Sequence, residues 1–161
     1  MFVLYLVVGN LVLAVPWVDS GFVGPWTSFN ATGAAALSRL IGIEAYASGT
    51  RISYELGSLN VLTGCNGVEA LLILVAAFLA FPSPWTRRLL GVLAGTVAIF
   101  GANLIRLVNL VVVAKFFPAW LEIFHIYIWQ TLIVMIAFAL FLSWGMFFAR
   151  VKPVTSPSGG T

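Results

Sequence analysis

The sequence predicts an all-α polytopic membrane protein with about four transmembrane helices and a small extracytoplasmic helix and hairpin between the first two. Of its 161 residues, 61% are hydrophobic and only 8% are charged, whereas soluble domains average about 45–50% apolar and about 25% charged residues. The Lys and Arg residues cluster at the ends of apolar runs, which is typical of membrane proteins. No basic run that would track nucleic-acid phosphates is present, so no nucleic-acid partner is expected.

Four apolar runs are the candidate spans, and a helix needs roughly 20 residues, with a range of about 17–25, to cross a bilayer. The runs cover residues 2–18, 68–81, 89–117 and 124–149. The third and fourth are long enough, the first is marginal, and the second crosses only if it is tilted or extended. The first run is not expected to be a removable signal peptide, because it has no basic start and no small-residue cleavage site.

Positive charge on short loops sets the expected orientation. Arg87 and Arg88 follow the second run and Arg150 follows the fourth, so these ends are expected in the cytoplasm. The stretch 19–65 would then face outward from a plasma membrane. Lys115, near the outer end of the third run, is mild evidence against this orientation.

The outer stretch is expected to be folded. Asn30 or Thr32 can cap a helix that Gly42 ends. In residues 51–63, apolar and polar residues alternate around Gly57-Ser58, which predicts a hairpin with its turn at these two residues.

The domain prediction is one membrane-embedded unit over residues 1–152. Residues 153–161 are rich in Ser, Gly and Pro and are expected to form a disordered tail.

The third run contains polar groups that lipid does not favour. Arg106 would cost at least about 2.5–3.5 kcal/mol at mid-bilayer, so such residues usually face a protein interior or a water-filled cavity. Asn103, Arg106 and Asn109 follow one another at three-residue spacing, which puts them on one side of a helix. At a rise of about 1.5 Å per residue, Arg106 lies roughly 25 Å from the inner face, near the outer boundary. Snorkelling of Arg106 to the headgroups is the alternative.

The topology brings two further groups to the same face. Cys65, the only cysteine, begins the second helix on the outer side, and His125, the only histidine, begins the fourth there. Glu69 lies one helical turn after Cys65 and can pair with Arg106, orient His125, or simply favour the helix start. Taken alone, Cys65 can be a small buried residue, and His125 can belong to an aromatic interfacial belt.

A thiol, a guanidinium and an imidazole together suit acyl transfer. A thiolate attacks a carbonyl to give a thioester, a fixed positive charge stabilises the oxyanion, and a histidine protonates the leaving amine. One Cys and one His are too few for the usual zinc sites, so neither a metal nor another cofactor is expected.

The segments TGCNGVEA and GANLIRLVNL, followed by His125, resemble the exosortase/archaeosortase family, and most closely its short exosortase H type. The family pattern is C-x-G, N-x-x-R and a His, and it falls here on Cys65 with Gly67, on Asn103 with Arg106, and on His125. Asn66 stands where many members have Ser, and many members have about eight helices.

The resemblance implies a membrane cysteine protease or transpeptidase with Cys65, Arg106 and His125 as catalytic residues. Its substrates would be membrane-anchored proteins whose C-terminal sorting signal is a short motif, a transmembrane helix and a basic cluster. Asn103, Glu69, Gly67 and Asn109 would support the site on the extracytoplasmic side. The acceptor and the recognised motif are not readable, and a hydrolase using water stays open. So does a non-enzymatic scaffold or transporter subunit with a structural Cys65 and a headgroup-binding Arg106.

Overall fold

The computed structural model describes residues 1–62 and 64–149. They form packed helices and one small antiparallel sheet. The helices are α1 (Phe2–Leu13), α2 (Pro16–Val18), α3 (Gly24–Leu40), α4 (Val68–Ala80), α5 (Trp85–Phe116) and α6 (Trp129–Ala149). Two π-helices span Asp19–Val23 and Ile123–Ile128, a short 3-10 helix spans Pro118–Trp120, and the strands are β1 (Ala45–Ser48), β2 (Arg51–Tyr54) and β3 (Gly57–Asn60).

The first apolar run is broken rather than continuous. Pro16 has no N–H to donate and restricts the residue before it, so Val15 is extended and α1 ends at Leu13. The chain then continues as one helical stretch, Pro16–Leu40, bent by 76° from α1. The predicted span over residues 2–18 therefore stops early, and the outer helix starts well before Asn30 or Thr32.

The sheet is the predicted hairpin with one additional strand. Its order is β1-β2-β3, and both neighbouring pairs are antiparallel. Tyr54 pairs with Gly57, so the turn is Glu55-Leu56 and the predicted turn at Gly57-Ser58 is wrong. A Cβ at Gly57 would meet the Tyr54 hydroxyl at 3.2 Å, which is why glycine suits a strand position here. Strand β1 was not predicted.

Two apolar cores hold the elements together. One lies between α4, α5 and α6, where Gly91 lets α5 approach Phe78 closely, since a Cβ there would meet the ring at 3.0 Å. The other lies between α3, the sheet and α5, and Cys65 is at its edge. An ion pair of 2.7 Å between Lys115 of α5 and Glu55 of the hairpin turn joins the sheet to the same end of α5.

The protein is an all-α membrane protein in its main architecture. Among the described residues, two helical segments are long and apolar enough to cross a membrane, Trp85–Phe116 and Ile123–Phe147. The bent pair adds a third if it forms one span. Helix α4 is apolar but has only 13 residues, fewer than the about 17 that a crossing needs. The predicted tail over residues 153–161 lies outside the described residues, and the single-domain boundary stays a prediction.

Candidate active site

Cys65 lies in a tight loop that leads from β3 into α4. Gly64 and Gly67 flank it with φ of +92° and +76°, a backbone region that favours glycine. A Cβ at Gly67 would stand 3.2 Å from Cγ of Asn103, so the loop lies directly against α5. The Cys65 N–H donates to the Leu62 carbonyl at 2.9 Å, and the residue is only 6% exposed. The two glycines therefore permit a close approach that buries the thiol.

Asn66 ties this loop to α3. Its side-chain amide donates to Thr27 Oγ1 at 3.0 Å, and its Oδ1 accepts the Val68 N–H, the first of α4, at 3.1 Å. Its main-chain carbonyl accepts from the Trp26 indole at 3.0 Å. Because Asn66 and Thr27 are both buried, these bonds fix the position of the residue next to the thiol.

His125 reaches the thiol from the second π-helix. This segment precedes α6, and it brings His125 Nε2 into contact with Cys65 Sγ. A π-helix is rare and often occurs at functional sites. The pair has the arrangement that a nucleophile and its base require.

Arg106 is the third member of the cluster. It lies on α5, is 1% exposed, and directs Nη2 to Cys65 Sγ at 3.6 Å and to Gln130 Oε1 at 3.4 Å. Its Nε and Nη1 have no hydrogen-bond partner within the described part of the chain, nor does any carboxylate there form a salt bridge with it. A buried guanidinium with unused donors can receive a carbonyl or oxyanion oxygen.

The predicted supporting residues occupy different places. Asn103 donates to Asn30 Oδ1 at 3.1 Å, while its own Oδ1 is buried without a partner among the described residues. Asn109 accepts from the Trp129 indole at 2.8 Å and so joins α5 to α6. Glu69 forms neither a salt bridge nor a hydrogen bond within the described residues, so the predicted contacts with Arg106 and His125 are not present there.

Burial and charge act in opposite directions on the thiol. Cys65 lies outside the membrane-spanning helices, and its burial raises the pKa of its thiol above the ordinary value. The positive charge of Arg106 is the largest influence that lowers this pKa, and the negative charge of Glu69 raises it. Because a thiolate is the nucleophile, Arg106 favours the reactive form.

A small cavity of about 70 Å³ opens beside Cys65 and His125, so the thiol has room for a reactant. The described residues contain no group of three or more His, Cys, Asp or Glu side chains that could hold a metal ion. The catalytic roles of the three clustered residues and the absence of a cofactor stay predictions.

Four contact residues were not singled out from the sequence for the site. Trp26 and Thr27 are 40 and 39 residues from Asn66, and Asn30 is 73 residues from Asn103. Gln130 is 24 residues from Arg106. The available signal was the recurrence of polar residues on the small-residue face of α3, where Thr27, Asn30, Ala31 and Ala34 are buried.

The comparisons agree with the resemblance seen in the motifs. The family model described as transmembrane exosortase matches residues 1–145 of the chain. No curated protein and no solved structure matches significantly. The match covers most of the 161 residues. The chain therefore belongs to the transmembrane exosortase family, and this membership is consistent with a cysteine-dependent membrane enzyme.

Proposed function

We propose that the protein is a membrane cysteine peptidase or transpeptidase that uses Cys65, His125 and Arg106. One observation supports this proposal: the side chains of His125 and Arg106, from two separate helical segments, converge on the sulfur atom of Cys65. Beside the sulfur are an imidazole nitrogen, which can move a proton, and a buried cation with unused donors.

The first step forms a thioester. The Cys65 proton passes to His125 Nε2, and the sulfur attacks a peptide carbonyl carbon so that a C–S bond forms. The oxyanion that develops accepts hydrogen bonds from the unused Arg106 donors. The C–N bond then breaks, and His125 gives its proton to the leaving amine.

The second step releases the acyl group. A nucleophile loses its proton to His125 and attacks the thioester carbonyl, and the C–S bond breaks to return the thiol. With water as acceptor the reaction is hydrolysis, and with an amine it is transpeptidation. Family membership favours transfer, and the acceptor is left unspecified.

The proposed substrates are membrane proteins that end in a short motif, a transmembrane helix and a basic cluster. We place the site on the extracytoplasmic side of the plasma membrane, because Arg87 and Arg88 lie in the first turn of α5, at the end of that helix far from Arg106. Lys115, the residue that opposes this orientation, forms an ion pair with Glu55 of the hairpin turn.

The test is C-terminal processing in the native host. Membrane proteins with such a terminal signal are compared by mass spectrometry in cells carrying the wild type, Cys65→Ala, or the control Ser58→Ala, which alters an exposed hairpin residue. Accumulation of uncleaved signals only with Cys65→Ala supports the peptidase, and any mass on the processed end identifies the acceptor. Unchanged processing at normal protein levels refutes it and favours the scaffold alternative.

A further inference from the structure

A cavity of about 70 Å³ has the proposed nucleophile in its wall. Strands β2 and β3 and the segment after them form one side, and α5 forms another. The Cys65 thiol and the His125 imidazole line it together with Asn60. The remaining lining residues are aliphatic: Ile52, Leu59, Val61, Leu107, Leu110 and Leu121.

The size of the cavity limits what it can hold. An apolar cavity of about 150 Å³ binds benzene, which has six carbon atoms. By this proportion, a volume of about 70 Å³ holds roughly three carbon atoms. That is the size of a valine side chain, and it is too small for a phenyl ring.

The chemistry of the wall limits the occupant further. Among the described residues, no Asp, Glu, Lys or Arg lines the cavity, so a charged side chain entering it would exchange water for mostly aliphatic contacts. An aliphatic side chain entering the cavity leaves water and gains apolar contacts, which is favourable.

We propose that this cavity is a specificity pocket for a small aliphatic side chain on the residue whose carbonyl carbon Cys65 attacks. The proposal rests on Cys65 being the nucleophile. The attacked carbonyl carbon must lie at the sulfur, so the side chain on the adjacent Cα lies within reach of a cavity that the sulfur itself lines.

Leu110 and Leu121 are the residues that set the size of the pocket and can be changed with least damage. Both line the cavity but lie outside the apolar core cluster that includes Ile52, Val61 and Leu107. Leu110→Ala enlarges the pocket from α5, and Leu121→Ala enlarges it from the segment before the second π-helix. Leu74→Ala is the matched control, since it removes the same atoms from a buried leucine in the other core.

The experiment measures alkylation of the full-length protein in detergent micelles. N-acetyl-aminoacyl chloromethyl ketones of valine, phenylalanine and aspartate serve as probes. In each reaction an Sγ–CH2 bond forms, the C–Cl bond breaks and chloride leaves. Cys65 is the only cysteine, so intact mass reports its modification directly. Iodoacetamide, which carries no side chain, normalises each rate for thiol reactivity.

We expect the valine reagent to react at least about tenfold faster than the phenylalanine reagent, since one methylene in an apolar pocket is worth about 10-fold or more. Leu110→Ala and Leu121→Ala should each raise the phenylalanine rate relative to valine, whereas Leu74→Ala should leave the ratio unchanged. Equal valine and phenylalanine rates, or a ratio that both pocket variants leave unchanged, overturns the pocket.

Failure of the proposed function has a different signature. If iodoacetamide reacts equally fast with the wild type, Arg106→Gln and His125→Ala, the thiol is not activated and the nucleophile assignment falls. If these variants do react more slowly with iodoacetamide, but the valine and phenylalanine reagents react at equal rates, only the pocket is refuted.

Discussion

Replacing Asn66 with Ala should loosen the loop that carries the thiol. The substitution removes the 3.0 Å bond to Thr27 and the 3.1 Å bond to the Val68 N–H. Thr27 Oγ1 keeps its own hydrogen bond to the Val23 carbonyl. Losing the hydrogen bond between Asn66 and Thr27 therefore costs only about 1 kcal/mol. The buried Val68 N–H is left without an acceptor, which costs about 1–3 kcal/mol. The expected loss in the free energy of unfolding is about 2–4 kcal/mol.

Graded variants test the reasoning behind this magnitude. In Asn66→Ser, the shorter hydroxyl can still accept the Val68 N–H but does not reach Thr27. Its expected loss is only about 1 kcal/mol. A double-mutant cycle of Asn66→Ala with Thr27→Val should give a coupling of about 1 kcal/mol between the two side chains.

The assay is reversible unfolding in detergent micelles, with the rate of iodoacetamide modification of Cys65 as a second readout that should rise as the loop loosens. Asn10→Ala is the control, since Asn10 is exposed and bonds only within its own helix. The reasoning is refuted if Asn66→Ala lies within about 0.5 kcal/mol of the wild type, or if Asn66→Ser costs as much as Asn66→Ala.

Two further predictions concern the contact between the loop and α5 and the charge beside the thiol. Gly67→Ala should destabilise the protein by about 1–2 kcal/mol from its positive φ alone, and contact of the new methyl group with Asn103 should add to this loss. The control Gly101→Ala should not destabilise the protein, because the space around Gly101 is open. Equal melting temperatures of the two variants would contradict this reasoning. Burial raises the pKa of the lone thiol and Arg106 lowers it, so Arg106→Gln should move the pH midpoint of alkylation upward. The exposed control Arg39→Gln should leave that midpoint in place, and a midpoint that is unchanged or lower in Arg106→Gln would contradict the reasoning.

The two long spans, and the meeting of Cys65, Arg106 and His125 at one end of the bundle, could be predicted from the lengths and order of the apolar runs. Run length and composition predicted α5 and the segment leading into α6, because an apolar stretch of such length has few alternatives. Topology placed Cys65, Arg106 and His125 at one end of the bundle, and the structure has them there in contact. Their catalytic roles stay a proposal.

Other features could not be predicted, because they depend on contacts between residues that are far apart in the sequence. The bond between Thr27 and Asn66 joins residues 39 apart, and neither side chain has a pattern that specifies the other. The prediction of a continuous first span over residues 2–18 did not include the break at Pro16, which holds Val15 in an extended conformation. The hairpin turn was assigned to Gly57-Ser58 by residue preference, whereas packing of the Tyr54 ring over Gly57 places the turn before it.

The π-helix that carries His125 makes the site sensitive to chain length. An α-helix turns by about 100° per residue, since 3.6 residues complete a turn, and a π-helix accommodates one additional residue per turn. Deleting a single residue from the rest of Ile123–Ile128 would let the segment return to α-helix. The imidazole would then face a different side of the helix, away from the sulfur, although every apolar residue that anchors α6 remained. Changing how many residues this segment contains, more than changing their types, would therefore move His125 away from the Cys65 thiol.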